Sequence, residues 1–209
     1  MILHGYFRSS AAWRVRIALG LKGLTAQDAF HHLRKGEHRL PAFLSLNPQG
    51  LVPALELDDG VILTQSLAIC EYLDEIAPAP PLLPGDAAAR ARIRAFAQVV
   101  ACDIHPIQNL RVLKRLRENG LAEDQVQAWA RGIIEDGFDA LDALIAGQAG
   151  PFAFGAAPTL ADLCLIPQIG NARRFGVEMR WPRLLEIEAA CQALPAFADA
   201  RPEHQPDAE

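Results

Sequence analysis

A chain of 209 residues, 51% hydrophobic and 22% charged, has ample apolar material for a core and the charge content of an ordinary globular protein. Its formal net charge of −5 argues against a general nucleic-acid binder, which carries a basic face. No apolar run approaches a membrane span, and the first residues lack the basic, apolar and small-residue order of a secretory signal, so a cytoplasmic protein without membrane contact is expected.

In chain order, Ile2 to Tyr6 predicts a strand and Ala11 to Lys22 a helix stopped near Gly23. Ala26 to His31 is a weaker strand. Ala54 to Leu57 and Val61 to Leu63 flank Asp58-Asp59-Gly60, a hairpin signal. Ser66 to Ile76 predicts a helix with apolar Leu67, Ile69, Cys70 and Leu73. Prolines 78, 80, 81 and 84 then break the pattern and mark a boundary between a domain over 1–80 and one over 87–209.

Beyond the prolines the signals are helical: Ala87 to Cys102, Ile107 to Glu118, Glu123 to Ala146, Thr159 to Ala172 and Leu184 to Leu194. Thr159-Leu160-Ala161-Asp162 has the capping-box order, which is structural rather than catalytic. The tail from Arg201 to Glu209 is polar, carries two prolines and is expected to fray. Cys70, Cys102, Cys164 and Cys191 are far apart and set among apolar residues, so buried free thiols are expected, with no disulfide and no metal site.

Three segments of the first domain carry chemistry. Ser9 and Ser10 sit where a strand turns into a helix that is apolar nearly all round but for Arg14 and Arg16. The first turn of a helix has free N–H groups and a positive dipole end, so hydroxyls there can hold a thiolate or carboxylate. The plainer alternative is that Ser10 only caps the helix. Asn47-Pro48-Gln49-Gly50-Leu51-Val52-Pro53 puts a proline directly before a strand. A cis Val52–Pro53 bond would turn the Val52 N–H and C=O outward, to pair with an extended peptide as an added strand does. Gln65-Ser66 opens the next helix, where Ser66 and its N–H can hold a carboxylate. Together these suggest backbone capture for the middle of a small peptide and an anion site at one end.

Over essentially its whole length the chain resembles the thioredoxin-like glutathione transferases, and most closely the zeta class, the maleylacetoacetate and maleylpyruvate isomerases. The zeta signature Ser-Ser-Cys-x-Trp-Arg-Val-Arg-Ile-Ala-Leu stands here as Ser9-Ser10-Ala11-Ala12-Trp13-Arg14-Val15-Arg16-Ile17-Ala18-Leu19. Asn47-Pro48-Gln49, Val52-Pro53, Gln65-Ser66-Leu67-Ala68-Ile69 and the run from Asp103 to Leu113 match as well. Ala11 replaces the signature cysteine, which removes a thiol from the turn.

The resemblance implies an α/β thioredoxin-like N-terminal domain that binds glutathione and an all-α C-terminal domain that binds substrate, the glutathione transferase fold. It implies glutathione as a catalytic cofactor, with Ser9 holding the thiolate, helped by Ser10. Val52 beside Pro53 pairs with the cysteinyl backbone, Gln65 and Ser66 hold the γ-glutamyl end, Gln49 and His38 reach the glycyl end, and His105 and Asn109 close over the cofactor. Arg8, Arg111 and Arg174 are the candidates for the carboxylates of a small diacid substrate. For each arginine the alternative is a solvated surface charge. A homodimer is implied too. The activity expected is cis–trans isomerisation of maleylacetoacetate to fumarylacetoacetate in aromatic breakdown, since Asn109-Leu110-Arg111-Val112-Leu113 fits the more typical zeta pattern. The alternatives are maleylpyruvate isomerisation, or a general glutathione transferase conjugating small electrophiles, haloacids among them. A non-enzymatic thioredoxin-like interaction module would have lost the contacts that Ser9, Val52-Pro53 and Gln65-Ser66 retain. A disulfide oxidoreductase needs a cysteine that Ser9 to Ala12 lacks.

Overall fold

The computed structural model of the chain describes residues 1–209. They divide into two compact units, Met1–Leu82 together with Gln192–Glu209, and Leu83–Cys191.

The first unit is built on a four-stranded sheet of β1 (Ile2–Gly5), β2 (Gln27–Phe30), β3 (Ala54–Glu56) and β4 (Ile62–Thr64) in the order β2-β1-β3-β4. β1 runs parallel to β2, with Ile2 opposite Gln27, and antiparallel to β3, with Leu3 opposite Leu55. The β3–β4 hairpin turns at Gly60, with φ of 84°, and Asp59 Oδ1 accepts the Val61 N–H at 3.1 Å. Helix α1 (Ser10–Lys22) links β1 to β2 and stops where Gly23 takes a left-handed φ of 62°. Its Gly20 lies against α9 (Pro195–Ala198): a Cβ there would sit 3.1 Å from the Ala196 Cα. Helix α3 (Ser66–Ile76) packs against α1, where the Cys70 thiol meets the Arg14 carbonyl at 3.8 Å.

Helix α2 (Pro41–Leu46) carried no recognised sequence signal. Its buried Phe43 joins Tyr6, Phe7 and Val52 in a small core, and its ring lies 4.4 Å from that of His31. The proline-rich stretch after α3 is tied back by buried Lys22. Its ammonium meets Asp74 Oδ1 at 2.5 Å and the Pro80 carbonyl, while Asp74 also accepts the Leu82 N–H at 2.8 Å.

The second unit holds α4 (Ala87–Gln98), α5 (Leu110–Glu118), α6 (Glu123–Leu144), α7 (Leu160–Arg174) and nearly all of α8 (Pro182–Gln192). After α4 the chain runs on as a π-helical stretch, Val99–Ile104, closed by a His105 N–H to Val100 carbonyl bond of 2.9 Å. Helix α5 begins at Leu110, three residues later than expected, because Asn109 caps it: its Oδ1 accepts the Arg111 N–H at 3.3 Å. Helix α7 is buried over most of its length, and Asp162 in its first turn is fully enclosed. Asp162 accepts from the Ala153 N–H at 2.9 Å, the Thr159 N–H at 2.7 Å and the Thr159 hydroxyl at 3.1 Å. No helix is long and apolar enough to cross a membrane, and no group of three or more His, Cys, Asp or Glu side chains could hold a metal ion.

The tail departs from expectation. Instead of fraying, it forms a 3₁₀ turn at Pro202–His204 and bonds to the first unit through Asp207 and Glu209.

Candidate active site

The serine turn follows directly from β1. The chain bends at Tyr6, whose carbonyl accepts the Ser9 N–H at 2.9 Å, and enters α1. The residue that caps α1 is Ser9, not Ser10: the Ser9 Oγ accepts the Ala12 N–H at 3.2 Å, while Ser10 is the first helical residue and is buried. A hydroxyl that accepts from the helix keeps its own proton for donation. No acidic side chain occupies the first turn of α1, so its positive end is not neutralised from within.

Val52 precedes a cis bond to Pro53 and makes no backbone hydrogen bond within the protein, since the β1–β3 and β3–β4 ladders begin at Ala54. Asn47 holds this loop, its Nδ2 donating to the Leu51 carbonyl at 2.7 Å and its Oδ1 accepting the Gln49 N–H at 3.1 Å. Gln49 is exposed and accepts from the Gln65 Nε2 at 2.9 Å, so these two candidates are in contact. His38 lies in a 3₁₀ turn, Glu37–Arg39. Burial, and then Arg39 beside it, hold its imidazole below the ordinary histidine range, and its buried Nδ1 takes no hydrogen bond.

At the head of α3, Gln65 has φ of 69° and ψ of 115°, a backbone conformation that side chains other than glycine rarely take. Strain of this kind costs about 1–3 kcal/mol and collects at binding sites. No side chain caps α3 and no acidic residue stands in its first turn. Ser66 is buried, and its Oγ accepts from Arg14 Nη1 at 3.1 Å.

Arg14 is a further candidate that no local motif in the sequence singles out. It is only 2% exposed, no carboxylate pairs with it, and its Nε and Nη2 are shielded from solvent with no hydrogen bond. A buried cation beside a helix N-terminus is costly unless an anion shares the place. The available signal was an arginine inside a helix otherwise apolar nearly all round. The cluster of Ser66, Arg14 and the open start of α3 therefore suits a carboxylate, and the free Val52 backbone suits a peptide.

Arg8 is half-buried within the serine turn. The other candidates lie in the second unit. His105 Nε2 and Asn109 Nδ2 are 3.5 Å apart at the approach to α5, and Arg111 is exposed in the first turn of that helix. Arg174 ends α7, with Nη2 donating to Asn171 Oδ1 at 2.6 Å. Its neighbour Arg173 is engaged differently, in a two-pronged pair with the buried Glu188 that raises its pKa.

Residues 8–76 match the glutathione S-transferase N-terminal domain family and residues 87–198 the C-terminal domain family. The chain belongs to the glutathione S-transferases. It is 48% identical to maleylacetoacetate isomerase of Pseudomonas aeruginosa, over 99% of this chain and 98% of that one. The structure of a maleylpyruvate isomerase, a bacterial glutathione S-transferase of the zeta class, superposes with a TM-score of 0.97 at 47% identity and covers 100% of both chains. Maleylacetoacetate isomerase of Methylobacterium extorquens AM1, with bound malonate and glutathione, does so with a TM-score of 0.96 at 43% identity, again over 100% of both. Within the family, likeness of this extent makes the protein an enzyme of zeta-class type.

Proposed function

We propose that this protein is a glutathione-dependent cis–trans isomerase of a maleyl keto-diacid, with maleylacetoacetate as substrate and fumarylacetoacetate as product. The observation that carries the reading is Ser9, a helix cap whose hydroxyl proton remains free at an N-terminus with no acidic residue in its first turn. Bound glutathione supplies a thiolate nucleophile whose bond to the substrate's double bond forms and breaks again, releasing the trans isomer.

The chain's own residues then have distinct tasks. Ser9 donates a hydrogen bond to the thiolate and, with the dipole of α1 and Ser10 beside it, favours the ionised form. Val52 offers its N–H and C=O to the cofactor's cysteinyl backbone, with Pro53 fixing the loop. Ser66, its N–H and Gln65 hold the γ-glutamyl carboxylate, and Arg14 beneath Ser66 balances that charge. His38 and Gln49 hold the glycyl end, and His105 and Asn109 are further candidate cofactor contacts. Arg8, Arg111 and Arg174 bind the substrate carboxylates and the negative charge that builds on the substrate oxygens. Residues 1–80 are thus the glutathione-binding domain and 87–209 the substrate domain of a cytoplasmic homodimer, although residues 192–209 of the latter pack into the first compact unit. Ala11 leaves this scheme intact, because none of its steps uses a protein thiol.

The test is absorbance-monitored isomerisation of maleylacetoacetate and maleylpyruvate with and without glutathione. Turnover that requires glutathione and leaves it unconsumed supports the reading, and the faster substrate names the reaction. A product that retains glutathione would make the protein a conjugating transferase instead.

A further inference from the structure

We infer that the last residues, 205–209, form a strap that positions the serine turn, with Asp207 as the positioning residue and Arg16 as its buttress. This rests on the reading that Ser9 holds the glutathione thiolate.

Phe7 lies between the end of β1 and the cap of α1, and neither element uses its backbone groups. The tail satisfies one side of that residue and α1 the other. Asp207 Oδ2 accepts the Phe7 N–H at 2.9 Å, across 200 residues of chain. Arg16 Nη2 donates to the Phe7 carbonyl at 3.1 Å, and Arg16 Nε donates to the Ala200 carbonyl, also at 3.1 Å. The peptide groups on both sides of the Phe7 side chain are therefore fixed two residues before the catalytic hydroxyl. A turn held only by the Ser9 N–H to Tyr6 carbonyl bond could rotate these groups; one pinned through Asp207 and Arg16 cannot do so without breaking charge-assisted bonds.

The strap has its own anchors on either side of Asp207. Gln205 Nε2 donates to the Asp199 and Arg201 carbonyls at 2.9 and 2.8 Å, and Glu209 Oε1 meets His32 Nε2 at 2.8 Å. Burial lowers the Arg16 guanidinium to about 10, against the opposing pull of Asp207 and Asp28. Arg16 is thus a desolvated cation that needs its carboxylate neighbours. Asp207 Oδ1 is shielded from solvent and accepts no hydrogen bond, so the carboxylate's one bonded contact is the serine turn.

The test compares the unaltered protein with Asp207→Ala, Asp207→Asn and a form ending at Gln205. Hydrogen exchange of the Phe7 amide is read without glutathione. The pH dependence of the bound thiolate's ultraviolet band, and kcat, are read with it. Asp207→Ala and the shortened form are expected to lose protection at Phe7, to raise the bound thiol's pKa toward that of free glutathione, and to lower kcat roughly tenfold. Asp207→Asn keeps an acceptor for the Phe7 N–H and should restore most of the thiol pKa. A purely structural tail would lower the unfolding temperature and leave the thiol pKa where it is, which would overturn the inference. So would unchanged Phe7 exchange in the shortened form. If the unaltered protein itself failed to depress the thiol pKa, the role of Ser9 would fall, while the exchange data would still judge the strap.

Discussion

The two units use the same physical feature, the exposed N–H groups and positive end of a helix N-terminus, in opposite ways. At the start of α7 the protein saturates it. Asp162 is enclosed and takes three hydrogen bonds from Ala153 and Thr159, and burial still pushes its carboxyl upward against their pull. At the starts of α1 and α3 the protein leaves it open. Neither first turn has an acidic side chain, Ser9 caps α1 with a hydroxyl that still has a proton to give, and α3 begins at the strained Gln65 with no cap. A helix start completed by its own carboxylate contributes stability. One left incomplete keeps N–H donors and positive potential available to an anion from outside.

The comparison can be broken at four points. Asp162→Ala strands the donors of Ala153 and Thr159 in the core, and at about 1–3 kcal/mol for each buried orphan the loss should reach about 3–5 kcal/mol. Urea unfolding would measure it, with Asp162→Asn retaining part of the stability and the folded fraction keeping its glutathione affinity. Ser9→Ala removes the donor to the thiolate. A hydrogen bond to a charged group contributes about 1.5–3 kcal/mol, so kcat should fall roughly 10- to 100-fold while stability drops only by a helix cap, about 1 kcal/mol.

Ser66→Ala should weaken glutathione roughly tenfold by calorimetry, a loss of about 1.5 kcal/mol, with kcat at saturation nearly unchanged. It also removes the only hydrogen-bond partner of the Arg14 guanidinium, so the ligand-free protein should unfold at a lower temperature. Gln65→Gly has the smallest effect and the opposite sign. Glycine takes the 69° φ without penalty, so the ligand-free protein should gain roughly 1 kcal/mol while glutathione binds less tightly. A loss of stability would mean that Gln65 carries no strain.

Much of the fold was legible wherever short-range signals agreed. Strand β1, the hairpin around Gly60, the Ser66–Ile76 helix and the Thr159–Asp162 cap all stand where spacing and turn chemistry put them, to within a residue or two. Helix α2 was not legible, because six residues starting at a proline have no periodicity to detect; its place is decided by Phe43 burying against His31 and Val52. The π-helical stretch at Val99–Ile104 was hidden for a related reason. One extra residue in a turn leaves the apolar pattern almost unchanged, yet it ends the helix early and leaves Asn109 to start α5 anew. At the candidate site, Ser9, Val52 and Ser66 were identified from local chemistry, whereas the burial of Arg14 was not.

By itself the sequence determined what depends on neighbours a few residues apart: that hydroxyls stand at the head of α1 and α3, where the chain turns, and which carboxylate caps α7. Only the tertiary structure decided that Arg14 reaches Ser66 across 52 residues and that Asp207 reaches Phe7 across 200. Such contacts leave no periodic trace, because they are selected by the packing of whole elements. A polar tail reads as solvent-exposed until the carbonyls, amides and buried guanidinium it must satisfy are brought beside it.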